Sequence, residues 1–161
     1  MNWWLIFVVG AVPLITGWIW YSKKMFGNAW MKATGFDPAT AKPVNMALVF
    51  GLTYLFGVML TSQLMGIVIH QMGVYSIVAD TPDAITNPES PFNTYINAYG
   101  HNFRTFKHGV FHGVLSSIFF VMPIISIIAL YERKGAKYIF VHVGYWALTL
   151  GLMGGILCQW L

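Results

Sequence analysis

The sequence predicts an all-α integral membrane bundle of four transmembrane helices, and three observations carry that expectation. First, residues 2–22, 44–73, 109–131 and 138–161 are apolar and contain no Lys, Arg, Asp or Glu. At about 1.5 Å of rise per residue, roughly 20 such residues cross a hydrocarbon core of about 30 Å. Second, the 161-residue chain is 57% hydrophobic and only 9% charged, far below the roughly 25% of a soluble domain. Third, its basic residues stand in blocks beside the apolar stretches. Four spans use most of the length, so residues 1–161 are expected to form a single transmembrane domain.

The blocks set an orientation. The first connection holds Lys23, Lys24, Lys32 and Lys42, and the third holds Arg133, Lys134 and Lys137. Everything else outside the spans supplies only Arg104 and Lys107. The excess places the first and third connections in the cytoplasm, with both termini and the long connection over residues 74–106 outside. The net charge of +4 therefore reads as topology, and no basic patch with nucleic-acid spacing accompanies it. No nucleic-acid partner is expected.

The first span carries Trp3, Trp4, Trp18, Trp20 and Tyr21 at its ends, at the depth that amphipathic rings favour. Met1 and Asn2 supply no basic leader region and Gly17-Trp18-Ile19-Trp20 is too bulky for a cleavage site, so this span is expected to persist. Pro13 removes one backbone hydrogen bond and predicts a kink at mid-span. Beyond it, Met25, Phe26, Ala29, Trp30 and Ala33 share one helical face opposite Lys24, Asn28 and Lys32. That pattern predicts a cytoplasmic interfacial helix, the alternative being an amphipathic loop. Gly35 is placed to end it in the left-handed conformation, and Asp37-Pro38 to start the next turn.

In the outer connection, Thr81-Pro82 and Ser90-Pro91 both read as helix starts. Phe92, Tyr95, Tyr99, Phe103 and Phe106 then recur every three or four residues, predicting one aromatic-striped helix. A structural lid is the plainer reading of that stripe; a gate or docking surface is the sharper one. The third span opens a repeat of the first: Pro13-Leu14-Ile15-Thr16 with Tyr21-Ser22-Lys23-Lys24 aligns, 110 residues on, with Pro123-Ile124-Ile125-Ser126 and Tyr131-Glu132-Arg133-Lys134. Pro123 thus predicts a second kink. Gly57-Val58-Met59 pairs less well with Gly151-Leu152-Met153. Two pseudo-repeated helical hairpins are the reading, chance similarity of apolar segments the alternative.

Small residues four apart mark close helix approach: Gly109, Gly113 and Ser117 on the third span, and Ala147, Gly151 and Gly155 on the fourth. These stripes serve packing within one chain or between chains. The lone Cys158 lies within the last span, which excludes an intramolecular disulfide and suits a small packing residue. His108 and His112 stand one turn apart at the outer end of the third span, with His70 near the outer end of the second and His101 just before the third. Two histidines at i and i+4 ligate one metal, and a third from a neighbouring helix leaves a position open to water. His70, His108 and His112 are therefore the candidate ligands of a divalent metal, with Asp80, Asp83 and Glu89 as further oxygen donors. Interfacial histidines that bond only backbone or lipid are the plainer alternative. His142 belongs to the other side.

No nucleophile elbow, phosphate loop, haem motif or paired carboxylate occurs, and no acidic residue lies within a span. The first functional reading is thus non-enzymatic: a homo-oligomer, or a small accessory or scaffold subunit of a larger membrane assembly, with bound lipid. A small-solute or ion transporter or channel, formed as an oligomer around the two prolines and the carbonyls of Val9 and Phe119, is the second. A metal-binding membrane protein or enzyme using the outer histidines is the third.

The run Gly17-Trp18-Ile19-Trp20-Tyr21-Ser22 with Phe26-Gly27 and Trp30-Met31 resembles an uncharacterised family of small four-helix bacterial integral membrane proteins. Tyr131-Glu132-Arg133, Gly144-Tyr145-Trp146 and Met153-Gly154 extend the likeness along nearly the whole chain. The resemblance implies the fold, the topology and a bacterial inner (cytoplasmic) membrane. It implies no activity, ligand or catalytic residue. The outer connection looks longer here than in typical members.

Overall fold

A computed structural model describes residues 2–161, and the regular elements there are all helices. Three helices are long and apolar enough to cross a membrane: Met46–Val68, the continuous run Phe106–Tyr131, and Ala136–Trp160. The first apolar stretch is shorter, a run over Trp4–Trp20 divided into α1 (Trp4–Val9) and α2 (Val12–Trp20). The division has a local cause. The Ala11 N–H bonds the Val8 carbonyl, a tightened turn, and Pro13, in the first turn of α2, has no N–H to give Val9.

After α2, Gly27–Thr34 forms α3, two residues later than the amphipathic face begins in the sequence. Met25 and Phe26 precede it, and a Cβ on Gly27 would collide with the Tyr21 carbonyl, so the start is set by backbone approach. Gly35 ends α3 at φ +78°, and the Asp37 carboxylate accepts from the Ala39 N–H at 2.9 Å. Trp20 stacks on Phe26 at 4.2 Å, and Lys134 Nζ donates to the Thr34 carbonyl at 3.0 Å. We call this the lysine end.

Helix α4 (Met46–Val68) is N-capped by Asn45, whose Oδ1 accepts from the Leu48 N–H. It crosses the first helical run at two glycines: a Cβ on Gly57 would strike the Gly10 carbonyl, and one on Gly10 would strike the Val58 side chain. Towards the lysine end the two diverge, and residues 46–56 of α4 are exposed around the whole circumference except at half-buried Thr53. At the opposite end follow α5 (Gln71–Ile77), α6 (Pro82–Thr86) and α7 (Pro91–Tyr99). Both Pro-led helices start where the sequence places them. Ser90 Oγ caps α7 by accepting from the Asn93 N–H at 3.1 Å and donates to the Ala84 carbonyl at 2.6 Å. The aromatic stripe, however, is not one helix. α7 stops before Gly100, Phe103 turns the chain at φ 62°, and Phe106 opens the next helix. Gly100-His101-Asn102 makes a turn that the aromatic spacing conceals.

Helix α8 (Phe106–Ser116), a π-turn over Ser117–Val121 and α9 (Met122–Tyr131) make one long rod. Pro123 sits in the first turn of α9, and the Met122 N–H reaches back five residues to Ser117. α8 lies along α10 (Ala136–Trp160), backbone against backbone. A Cβ on Gly109 would meet the Gly154 carbonyl and one on Gly113 the Leu150 carbonyl, while Ser117 Oγ donates to the Val143 carbonyl at 3.1 Å. Gly155 faces Phe106, and Gly151 touches Val110 and Val114. Gly154, outside the spacing of four, also meets the α8 backbone, since a Cβ there would strike the Gly109 carbonyl; Ala147 is only half-buried.

The core lies towards the histidine end, where Val9, Leu64, Val68, Ile69, Met153 and Leu157 close on one another. Nearer mid-depth the buried hydroxyls are satisfied within the protein. Thr16 Oγ1 and Thr149 Oγ1 are 2.8 Å apart, and Tyr145 Oη donates to the Pro13 carbonyl at 3.0 Å. Thr16 also bonds the Val12 carbonyl at 2.9 Å, so Thr149→Val leaves no orphan. Its expected cost is about 0.6 kcal/mol, the average for such pairs in membranes, read from chemical unfolding in micelles. A loss above about 2 kcal/mol would mean the pair is more than local glue.

Candidate metal centre

Local structure brings His70 to the site. α4 ends at Val68, and Ile69, fully buried, adopts an extended conformation (φ −109°, ψ 92°) that turns the chain before His70 opens α5. The sequence expectation of one span over 44–73 misses this break, because neither Gly nor Pro marks it. What stops the helix is the burial of Ile69 in the core. His108 and His112 project from α8, whose start is fixed by Thr105 Oγ1 accepting from the His108 N–H at 3.3 Å.

These elements converge. His70 Nε2 and His108 Nε2 are 2.9 Å apart, so one ring donates and the other accepts. Ring centroids stand 4.9 Å apart for His70–His108, 4.9 Å for His70–His112 and 4.5 Å for His108–His112. One ligand nitrogen from each lies within 4.8 Å of the others. Zinc bonds nitrogen at about 2.0–2.1 Å, which sets tetrahedral ligand nitrogens about 3.4 Å apart, so only side-chain adjustment separates the two arrangements. His70 is exposed and the other two half-buried, so a metal held by the three would keep a fourth position within reach of water. Three neutral imidazoles suit borderline ions such as Zn²⁺, Cu²⁺ or Ni²⁺ over Mg²⁺ or Ca²⁺.

A wall of the site was not legible in the sequence. The Phe103 ring lies 5.2 Å from His108 and 6.1 Å from His70, edge-on to the latter. Its left-handed backbone is tied from two sides: Cys158 Sγ donates to the Phe103 carbonyl at 3.2 Å, and Gln71 Nε2 to the Asn102 carbonyl at 2.8 Å. Cys158 Sγ also lies 3.4 Å from the Val68 carbonyl. The predicted packing cysteine thus bridges the two segments that carry His70 and Phe103. A cavity of about 170 Å³ opens beside His70 between Gln71, Tyr95, Tyr99 and Phe103.

The other candidates fall elsewhere. Among the described residues the cluster is histidine only, without Asp80, Asp83 or Glu89. His101 lines a separate cavity with Tyr75, Arg104 and Gln159. His142 is at the lysine end, its Nδ1 3.1 Å from Tyr21 Oη and its buried Nε2 without a partner.

Fold and site together define an all-helical protein with three potential membrane-crossing helices and a histidine cluster at one end. Residues 4–158 match the model of the family described as protein of unknown function DUF1761, and the chain belongs to that family. Comparison with curated proteins and with solved structures gives no match.

Proposed function

We propose that this chain is a multi-pass membrane protein that binds one divalent transition-metal ion through His70, His108 and His112. The observation that carries the reading is the meeting of three imidazoles from two separate helices within 4.8 Å. In this reading the Trp4–Trp20 run is the fourth crossing and pairs with α4 as the first of two hairpins. The lysine end is cytoplasmic and the metal faces outward from a bacterial inner membrane, where both termini lie.

Co²⁺ titration of the chelator-treated protein in detergent tests it, since a tetrahedral three-nitrogen site gives visible absorption. One equivalent is expected at pH 7.5. Neutral imidazole is the ligand form, so protons compete and affinity falls as pH drops below about 6.5. Absence of visible bands at pH 7.5, or binding indifferent to pH between 7.5 and 5, would overturn it.

The oligomer or scaffold reading draws on a different observation. The glycine stripes are used inside the chain by α8 and α10, so support for association rests on the bare circumference of residues 46–56. Mass measurement in mild detergent and in lipid discs tests it; a monomer in both would count against it. The transport reading rests on the carbonyls of Val9 and Phe119; beside them, the Pro13 carbonyl and the Thr16 and Thr149 hydroxyls are engaged within the protein.

A further inference from the structure

The divergence of α2 and α4 leaves an apolar groove at the lysine end. It encloses about 630 Å³ and is walled by Pro13, Gly17 and Trp18 on one side and Val49, Phe50 and Thr53 on the other. Its cause is the crossing at Gly10 and Gly57: helices in contact there must separate away from it. From Pro13 to Tyr21 the groove runs about 12 Å along the axis. That is close to half of a hydrocarbon core of about 30 Å, the depth of one leaflet.

At the mouth the lining changes character. A second hollow of about 620 Å³, walled by Trp18, Ile19, Ser22, Lys23, Lys24 and Met25, adjoins the groove, with Trp18 as the shared wall. Trp18 is 81% exposed, and an indole at this depth sits between acyl chain and headgroup. Lys23 and Lys24 are exposed. The only carboxylate in that connection, Asp37, is turned to the Ala39 N–H.

We propose that this groove holds one acyl chain of an anionic phospholipid whose phosphate lies on Lys23 and Lys24. Charge decides between the occupants. A second copy packed here about a two-fold axis along the membrane normal would bring both lysine pairs to one rim, like charges together. A zwitterionic lipid fills the groove but brings a choline that the lysines repel. An anionic lipid satisfies groove and rim at once, each lysine near such a headgroup contributing about fivefold. The inference needs the Trp4–Trp20 run to lie in the bilayer, and it is independent of the metal site.

The test uses the full chain in mild detergent. Phosphatidylglycerol and phosphatidylcholine with identical acyl chains compete for retention in native mass spectrometry. In parallel, phosphatidylglycerol with brominated chains quenches tryptophan fluorescence. We expect phosphatidylglycerol to be favoured about tenfold or more, and the K23Q/K24Q double variant to abolish the preference. Lys32 and Lys42 remain in that variant to hold orientation. Trp18→Phe should remove most of the saturable quenching. Thr53→Phe, which fills the groove, should weaken both lipids. Equal retention of the two lipids overturns the proposal, as does an unchanged preference in K23Q/K24Q or full quenching in Trp18→Phe. A lipid-free dimer whose formation Thr53→Phe prevents would assign the groove to a second copy. If Thr53→Phe does not fold, the Trp18→Phe quenching decides the location alone.

Discussion

Alanine at both His108 and His112 leaves His70 as the only imidazole of the cluster, and zinc retention is expected to collapse. Losing a hydrogen bond behind a metal ligand costs roughly 10–100-fold in affinity. Losing two direct ligands of three costs more, so the expected weakening exceeds about 100-fold and no metal survives gel filtration. Elemental analysis of wild type, the double variant and His101→Ala separates the site from general histidine affinity. His101 lines another cavity, and its alanine variant should keep the wild-type metal content. Equal, negligible metal in all three would reduce the cluster to the hydrogen bond between His70 and His108.

Leucine at Gly113 is expected to be the most destabilising single change in the spans. Its Cβ would overlap the Leu150 carbonyl and crowd Gly151 Cα at 2.8 Å. These are backbone atoms of α10, with no rotamer to yield. Overpacking costs about 1–3 kcal/mol where side chains can shift; against backbone the loss should reach the top of that range or pass it. Gly66→Leu on α4 is the control, since a Cβ there meets nothing within 4 Å. Unfolding of the two variants in mixed micelles should differ by at least about 3 kcal/mol. Equal stability would mean that α8 and α10 are not held at the spacing described. Because His108 and His112 ride on α8, Gly113→Leu should also weaken metal binding.

Much of the helical content was legible because bilayer chemistry is severe: long charge-free runs announce the helices over Met46–Val68, Phe106–Tyr131 and Ala136–Trp160. Polar punctuation was legible too, at Thr81-Pro82, Ser90-Pro91 and Gly35. For the histidines, helical spacing and shared side already put His70, His108 and His112 together, and the structure adds their distances. What escaped depends on tertiary packing. The break at Ile69 has no breaker residue and follows from a side chain drawn into the core. Gly154 lies off the spacing of four, and only the packing of α10 on Gly109 shows that it too must lack a side chain. Phe103 belongs by spacing to a helix, yet Cys158 and Gln71, distant in sequence, hold its loop in a left-handed turn.

The π-turn over Ser117–Val121 carries a further consequence. Such a turn accommodates one residue beyond the α-helical count, and Phe119 within it is 69% exposed. Removing one residue there would close it to a plain α-helix and leave the face of α9 nearly where it is, because the wide turn already absorbs the extra residue. A deletion within the regular turns of α9 has no such slack and would rotate everything beyond it by about 100°, while α8 stays clamped to α10 by Gly109 and Gly113. The histidine-bearing half and the lysine-end half of this rod are thus out of phase by one residue. The π-turn is therefore the place in this rod where a single-codon deletion is absorbed, with both the face of α9 and the imidazoles staying where they are.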